Sequence, residues 1–211
     1  MAMTLYRSRP VDAFAKAVSV GFHPGFQQVY LILFVAAVTG RFWITLGPTL
    51  LFSLALPTAF YMWFKRYVLA GETIYHMHRK DRFWPTIANI VGLALTALSL
   101  WILGEGTIPS QITTPIALTP FNVILMVLVI NLIGFSVTFF YKISYHMLAT
   151  AAIGFIFYSP EHPWLIWSVL SITIPLVGWS RYYLHGHTID QIIVGTVVGL
   201  SYATVVTTWL I

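Results

Sequence analysis

Seven apolar runs decide what this chain can fold into. They lie at about 25–40, 43–64, 86–104, 120–140, 144–158, 163–179 and 188–211, with polar stretches between them. A bilayer core about 30 Å thick is crossed by about 20 apolar residues of helix. No water pairs with the backbone there, so a crossing segment must satisfy its own N–H and C=O groups, as a helix does. Of the 211 residues, 58% are hydrophobic and only 8% charged, a balance foreign to soluble domains. The expectation is one integral membrane domain over residues 1–211. It is all-α, a polytopic bundle of six to seven transmembrane helices, six if the short first run does not cross. Gly195 and Gly199 stand four apart in the last run, the small-residue spacing of closely packed membrane helices.

Residues 1–22 carry Arg7, Arg9, Asp12 and Lys16 without a continuous apolar core, unlike a secretory signal peptide. Val11, Phe14, Val18 and Phe22 recur at helical spacing. The segment therefore reads equally as a helix along the membrane surface or as a frayed terminus. The chain has no cysteine, which removes disulfides and thiolate chemistry. Asn89 and Asn131, inside apolar runs, are expected to bond between helices. His23 and His162 read as interfacial, and Trp63, Trp84, Trp101, Trp164 and Trp179 as an aromatic belt.

The polar residues gather in three loops. Lys65 to Pro85 contains Arg79, Lys80, Asp81 and Arg82; Tyr141 to His146 contains Lys142 and Ser144; Trp179 to Gln191 contains Arg181, His185, His187 and Asp190. Two spans separate each loop from the next, so all three emerge on one membrane face. With the N-terminal segment, that face holds ten of the eleven lysines and arginines, and Arg41 stands alone opposite. Such asymmetry places the loops in the cytoplasm of a cell whose plasma (inner) membrane holds the protein. The net charge of +5 follows from this topology rather than from nucleic-acid binding. Arginine grips phosphate oxygens with two parallel N–H donors, and a neutral imidazole beside it can attack phosphorus or move a proton. With six carboxylates in the whole chain and no paired-aspartate motif, cation chemistry on phosphate would come from side chains rather than from magnesium.

At these residues the sequence resembles a known family. Ser180-Arg181, five residues, then His187 is similar to the third motif of the type 2 phosphatidic acid phosphatase superfamily, which includes vanadium haloperoxidases. Lys142-Ile143-Ser144-Tyr145-His146 resembles its second motif, and Arg79 to Pro85 a compressed first motif. The resemblance runs from about residue 60 to the C-terminus. It implies a phosphatase/haloperoxidase-like helical core. It also implies roles: His187 as the nucleophile forming a phosphohistidine, and His146 as the general acid. Arg181, Arg82 and one of Arg79 or Lys80 would hold the phosphate, with a hydrogen bond from Ser144. Lys142 reads either as a further phosphate-binding cation or as a marker of the cytoplasmic boundary.

Three departures from the family pattern are visible. Gln191 stands where the family has the aspartate that orients the nucleophile; its carbonyl can still accept the imidazole N–H and set the tautomer. Tyr145 replaces a glycine, and the first motif lacks its Arg-Pro dipeptide. The His-Thr-x-x-Gln pattern is similar to that of dolichyl-diphosphate phosphatases. The implied function is a metal-independent membrane lipid phosphatase without a cofactor, its first candidate substrate a polyprenyl diphosphate. Phosphatidic acid or phosphatidylglycerophosphate is the alternative. Two rival classes are a histidine-ligated haem or metal protein, with His146 and His187 or His76 and His78 as ligands, and a non-catalytic lipid-binding protein.

Overall fold

The computed structural model describes residues 10–67, 83–105, 119–153 and 163–210, and among these there are only helices and turns. Helix α1 is Pro10–Gly21 and α2 Pro24–Val38, bent 52° from each other at the break between them. Helix α3 is Phe42–Tyr67, α4 Phe83–Gly104, α5 Pro120–Phe140, α6 Tyr145–Ala152, α7 Pro163–Tyr183 and α8 Ile189–Leu210. Four helices, α3, α4, α5 and α8, are long and apolar enough to cross a membrane, or five spans if the bent pair α1–α2 makes one. The protein is thus an all-helical bundle with the helices of a membrane protein. Its outer surface agrees: Trp43, Trp101, Trp167, Phe140 and Ile172 are exposed. Hydrocarbon chains are the environment in which such residues are at no disadvantage.

Local sequence accounts for several helix ends. Pro24 and Pro120 each open a helix at a position whose N–H would be unpaired in any case. His23 Nδ1 accepts from Gly25 N–H, and Thr119 Oγ1 accepts from Asn122 N–H, so both helices begin with a side-chain cap. Pro48, inside α3, is followed by a wide π-helical stretch over Thr49–Ala55. The widened turn brings the carbonyl of Phe52 against Gly92 of α4, where any side chain would collide with it. Beside that contact Ser53 and Thr96 share a 2.8 Å hydrogen bond.

The main core lies between α2, α4, α5, α6 and α8, where Ile32, Leu93, Leu100, Ile124 and Ile143 are almost wholly buried. One polar ladder crosses it. Gln28 Nε2 donates to Asn89 Oδ1 at 2.7 Å, and Asn89 Nδ2 to Asn131 Oδ1 at 3.0 Å. This is the interhelical role expected of the two asparagines. The two glycines of the last helix also behave as expected. A side chain on Gly195 would meet the Ser144 carbonyl at 2.7 Å, and one on Gly199 the Leu148 carbonyl at 2.5 Å. Only hydrogen at both positions lets α6 lie directly on α8, and this contact positions the site.

Candidate active site

The stretch from Ser180 to Gln191 is not one loop. Helix α7 continues through Arg181 to Tyr183, four residues beyond the end of the apolar run, and then stops in a tight turn. His185 N–H donates to the Tyr182 carbonyl at 2.9 Å and Gly186 N–H to the Arg181 carbonyl at 3.0 Å. These are the two hydrogen bonds of a Schellman helix end. The left-handed position of that motif usually belongs to glycine, but here it is His185, with φ 53°. The glycine comes one residue later because Gly186 lies against the Arg181 guanidinium; a side chain there would meet Nη2 at 2.5 Å. The Arg181 carbonyl also receives His187 N–H at 3.3 Å. The turn thus folds back over Arg181 and delivers His187 at the mouth of α8.

The His187 ring is held from α8. Its Nδ1 lies 3.0 Å from Gln191 Oε1. The carbonyl oxygen can only accept, so Nδ1 carries the proton and Nε2 keeps its lone pair. Asp190 takes no part: Tyr141 donates its hydroxyl to Asp190 Oδ2 on the outer side of the turn.

The second cluster arrives with α6. Ser144 N–H donates to the Gln191 carbonyl at 3.2 Å, so the two motifs are joined through the backbone. Ser144 Oγ is fully buried and makes no hydrogen bond. A buried hydroxyl left in this way is rare, because losing its water costs roughly 1–3 kcal/mol. His146 is also buried, and its Nε2 lies 3.1 Å from the Ser19 carbonyl, which makes Nε2 the protonated nitrogen. Burial holds this imidazole well below the ordinary histidine range, and the charges of Arg181, His23 and His187 push the same way. His146 therefore rests neutral at the first turn of α6.

Helix α1 closes the site, and sequence reasoning had assigned it no part there. It docks on α7 through three hydrogen bonds. Ser180 Oγ donates to the Ala15 carbonyl at 2.8 Å, Arg181 Nη1 to Ser19 Oγ at 2.6 Å, and Tyr183 OH to Asp12 Oδ1 at 2.6 Å. Val18 packs with Met147 and Val177 beneath them. His23, read from sequence as interfacial, sets its ring edge-on to that of His146, with centroids 5.4 Å apart. The sequence does carry the helical spacing of Val11, Phe14, Val18 and Phe22, and Val18 in α1 and Phe22 just past its end turn inward. Nothing in it marks Ser19 as a buried partner of an arginine 162 residues away.

Above His187 lies an open cavity of about 350 Å³, lined by Lys142, Tyr182, His185, Gly186, His187, Thr188, Ile189 and Gln191. No carboxylate is among these residues. Of the sequence-derived candidates, His187, Gln191 and Lys142 line the cavity. Arg181, Ser144 and His146 are buried, outside its lining. Arg79, Lys80 and Arg82 lie outside the described residues, as do His76 and His78. Among the described residues no three His, Asp or Glu side chains are grouped as a metal site. Comparison of the chain with protein-family models, with curated proteins and with solved structures returns no match.

Proposed function

We propose that the protein is a membrane lipid phosphatase working through a phosphohistidine, related in mechanism to the type 2 phosphatidic acid phosphatases that its motifs resemble. The observation that carries this reading is the hydrogen bond from His187 Nδ1 to Gln191 Oε1 in a turn wrapped over Arg181. It leaves a nucleophilic Nε2 on His187, which lines a cavity that carries Lys142 and no carboxylate, in a turn folded over the buried Arg181.

Phosphoryl transfer asks chiefly for placement and for positive charge around the equatorial oxygens. In the first step the Nε2 lone pair forms a bond to phosphorus while the bond to the lipid oxygen breaks, and His146 gives that oxygen a proton. In the second step water attacks the phosphohistidine, His146 takes the proton back, and phosphate leaves. His146 rests neutral with its Nε2–H on the Ser19 carbonyl, so the transferred proton must be loaded on Nδ1. A bound phosphate favours that loading, because its negative charge offsets the Arg181 charge that disfavours it. Arg181, Lys142 and Ser144, with the 79–82 cluster, hold the oxygens.

The open cavity of about 350 Å³ has room for a diphosphate as well as for a single phosphoryl group. A polyprenyl diphosphate is the substrate proposed first, and phosphatidic acid the alternative. The test is phosphate release by the purified protein from a panel of lipid mono- and diphosphates. Release should persist in EDTA and be blocked by vanadate. Activity that disappears in EDTA and returns with magnesium would overturn the mechanism.

A further inference from the structure

Ser19 touches two of the groups assigned above, from a helix that neither of the motifs they belong to includes. Its Oγ accepts from Arg181 Nη1 at 2.6 Å, and its carbonyl lies 3.1 Å from His146 Nε2. On the other side of the guanidinium sits Gly186, near enough that a methyl group there would meet Nη2. Arg181 is therefore clamped between α1 and the turn, and α1 is anchored by the bonds from Ser180 and Tyr183. A long flexible side chain placed by two neighbours loses its rotamer freedom before a ligand arrives, which strengthens anion binding.

We infer that Ser19 is a positioning residue of the anion site: its side chain aims Arg181 at the phosphate, and its backbone carbonyl sets the tautomer of His146. The N-terminal helix then belongs to the catalytic unit rather than being a membrane-surface attachment. The inference rests on the phosphatase reading for its kinetic consequences, while the Arg181 clamp itself requires only that the site bind an oxyanion.

The two contacts can be separated. Ser19→Ala removes Oγ and leaves the carbonyl on His146. Ser19→Cys fills the same space with a weak acceptor and stands in should the alanine variant fail to fold. Each should lower kcat/KM about 10–100-fold, the span expected for a hydrogen bond to a buried charge. The loss should fall mainly on KM, because a loosened guanidinium weakens phosphate binding. A merely structural loss lowers the active fraction, and with it kcat, at unchanged KM. In an Arg181→Met background, which has no donor for Ser19 Oγ, Ser19→Ala should cost little more, since the partner is gone.

The same variants are to be tested for stabilisation by orthovanadate in thermal unfolding, which needs no turnover. A wild-type protein that hydrolyses lipid phosphates while Ser19→Ala or Ser19→Cys keeps its KM and vanadate shift overturns the inference and leaves the phosphatase reading standing. A wild-type protein that hydrolyses nothing overturns that reading. In that case, a vanadate shift present in wild type and lost in the Ser19 variants still supports the clamp. Absence of any shift in wild type removes both.

Discussion

His187 owes the direction of its ring to a single hydrogen bond, and the residue that provides it is the one a family pattern would have occupied with aspartate. Gln191 accepts from Nδ1 at 3.0 Å, whereas Asp190 is engaged by Tyr141. Successive helix residues point about 100° apart, so a carboxylate at 190 cannot substitute for the amide at 191. This much was legible in the sequence, because position within a helix fixes direction. The difference predicts unequal losses. His187→Ala removes the covalent route, and kcat should fall at least about 10³-fold. Gln191→Ala leaves the ring but frees its tautomer, and the loss should be on the order of 10–100-fold, as for other histidines deprived of an orienting partner. Asp190→Asn should leave kcat/KM within about twofold, as a change on the far side of the turn. The four proteins are to be compared at equal folded concentration with one lipid phosphate. An Asp190→Asn variant as damaged as His187→Ala, beside a silent Gln191→Ala, would show that the carboxylate is the true partner.

Among the elements, α6 and α8 show how packing carries a site. Their contact depends on Gly195 and Gly199, and the four-residue spacing made it readable in advance. What the spacing does not tell is what each glycine faces. Gly195 lies beneath Ser144, whose N–H reaches the Gln191 carbonyl; Gly199 lies one turn deeper, against Leu148, Ala151 and Ala152. A methyl group at either place must push the helices apart, at a cost of about 1–3 kcal/mol typical of overpacking. Gly195→Ala and Gly199→Ala should therefore lower the melting temperature by similar amounts. Only Gly195→Ala should also lower kcat/KM of the folded protein, by about tenfold or more, because it displaces the serine that joins the two motifs. Equal activity of the two variants would mean that the Ser144–Gln191 link is incidental. Other features of the elements were hidden from the sequence for a physical reason. The π turn of α3 sets the Phe52 carbonyl against Gly92, and the Schellman end of α7 packs Gly186 on the Arg181 guanidinium. Both involve tertiary contacts, which local propensity does not encode.

For the whole molecule the open matter is which way the site faces, and here the physical argument comes from charge. On the topology expected from the sequence, ten of eleven basic residues fall on the loop side, and omitting the five assigned to phosphate still leaves five against Arg41. Positive loops remain on the cytoplasmic side, so the site is expected to face inward. Helix α1 allows a test with described residues alone. Ala13 is exposed on α1, one residue from Asp12 and its bond to Tyr183, and so belongs to the site side. Thr39 is exposed just past the far end of α2, whose 15 residues carry the chain about 22 Å away at 1.5 Å per residue. That rise is somewhat less than a hydrocarbon layer about 30 Å thick, and at the break beside His23 the axis of α1 departs from that of α2 by 52°. Because the chain has no cysteine, single substitutions report without background. In intact cells a membrane-impermeant maleimide should label Thr39→Cys and spare Ala13→Cys, and permeabilisation should expose the latter. Labelling of Ala13→Cys from outside would turn the protein over. The site would then open to the exterior, where it could meet only lipid phosphates of the outer leaflet, and newly made prenyl diphosphates on the cytoplasmic side would be out of its reach.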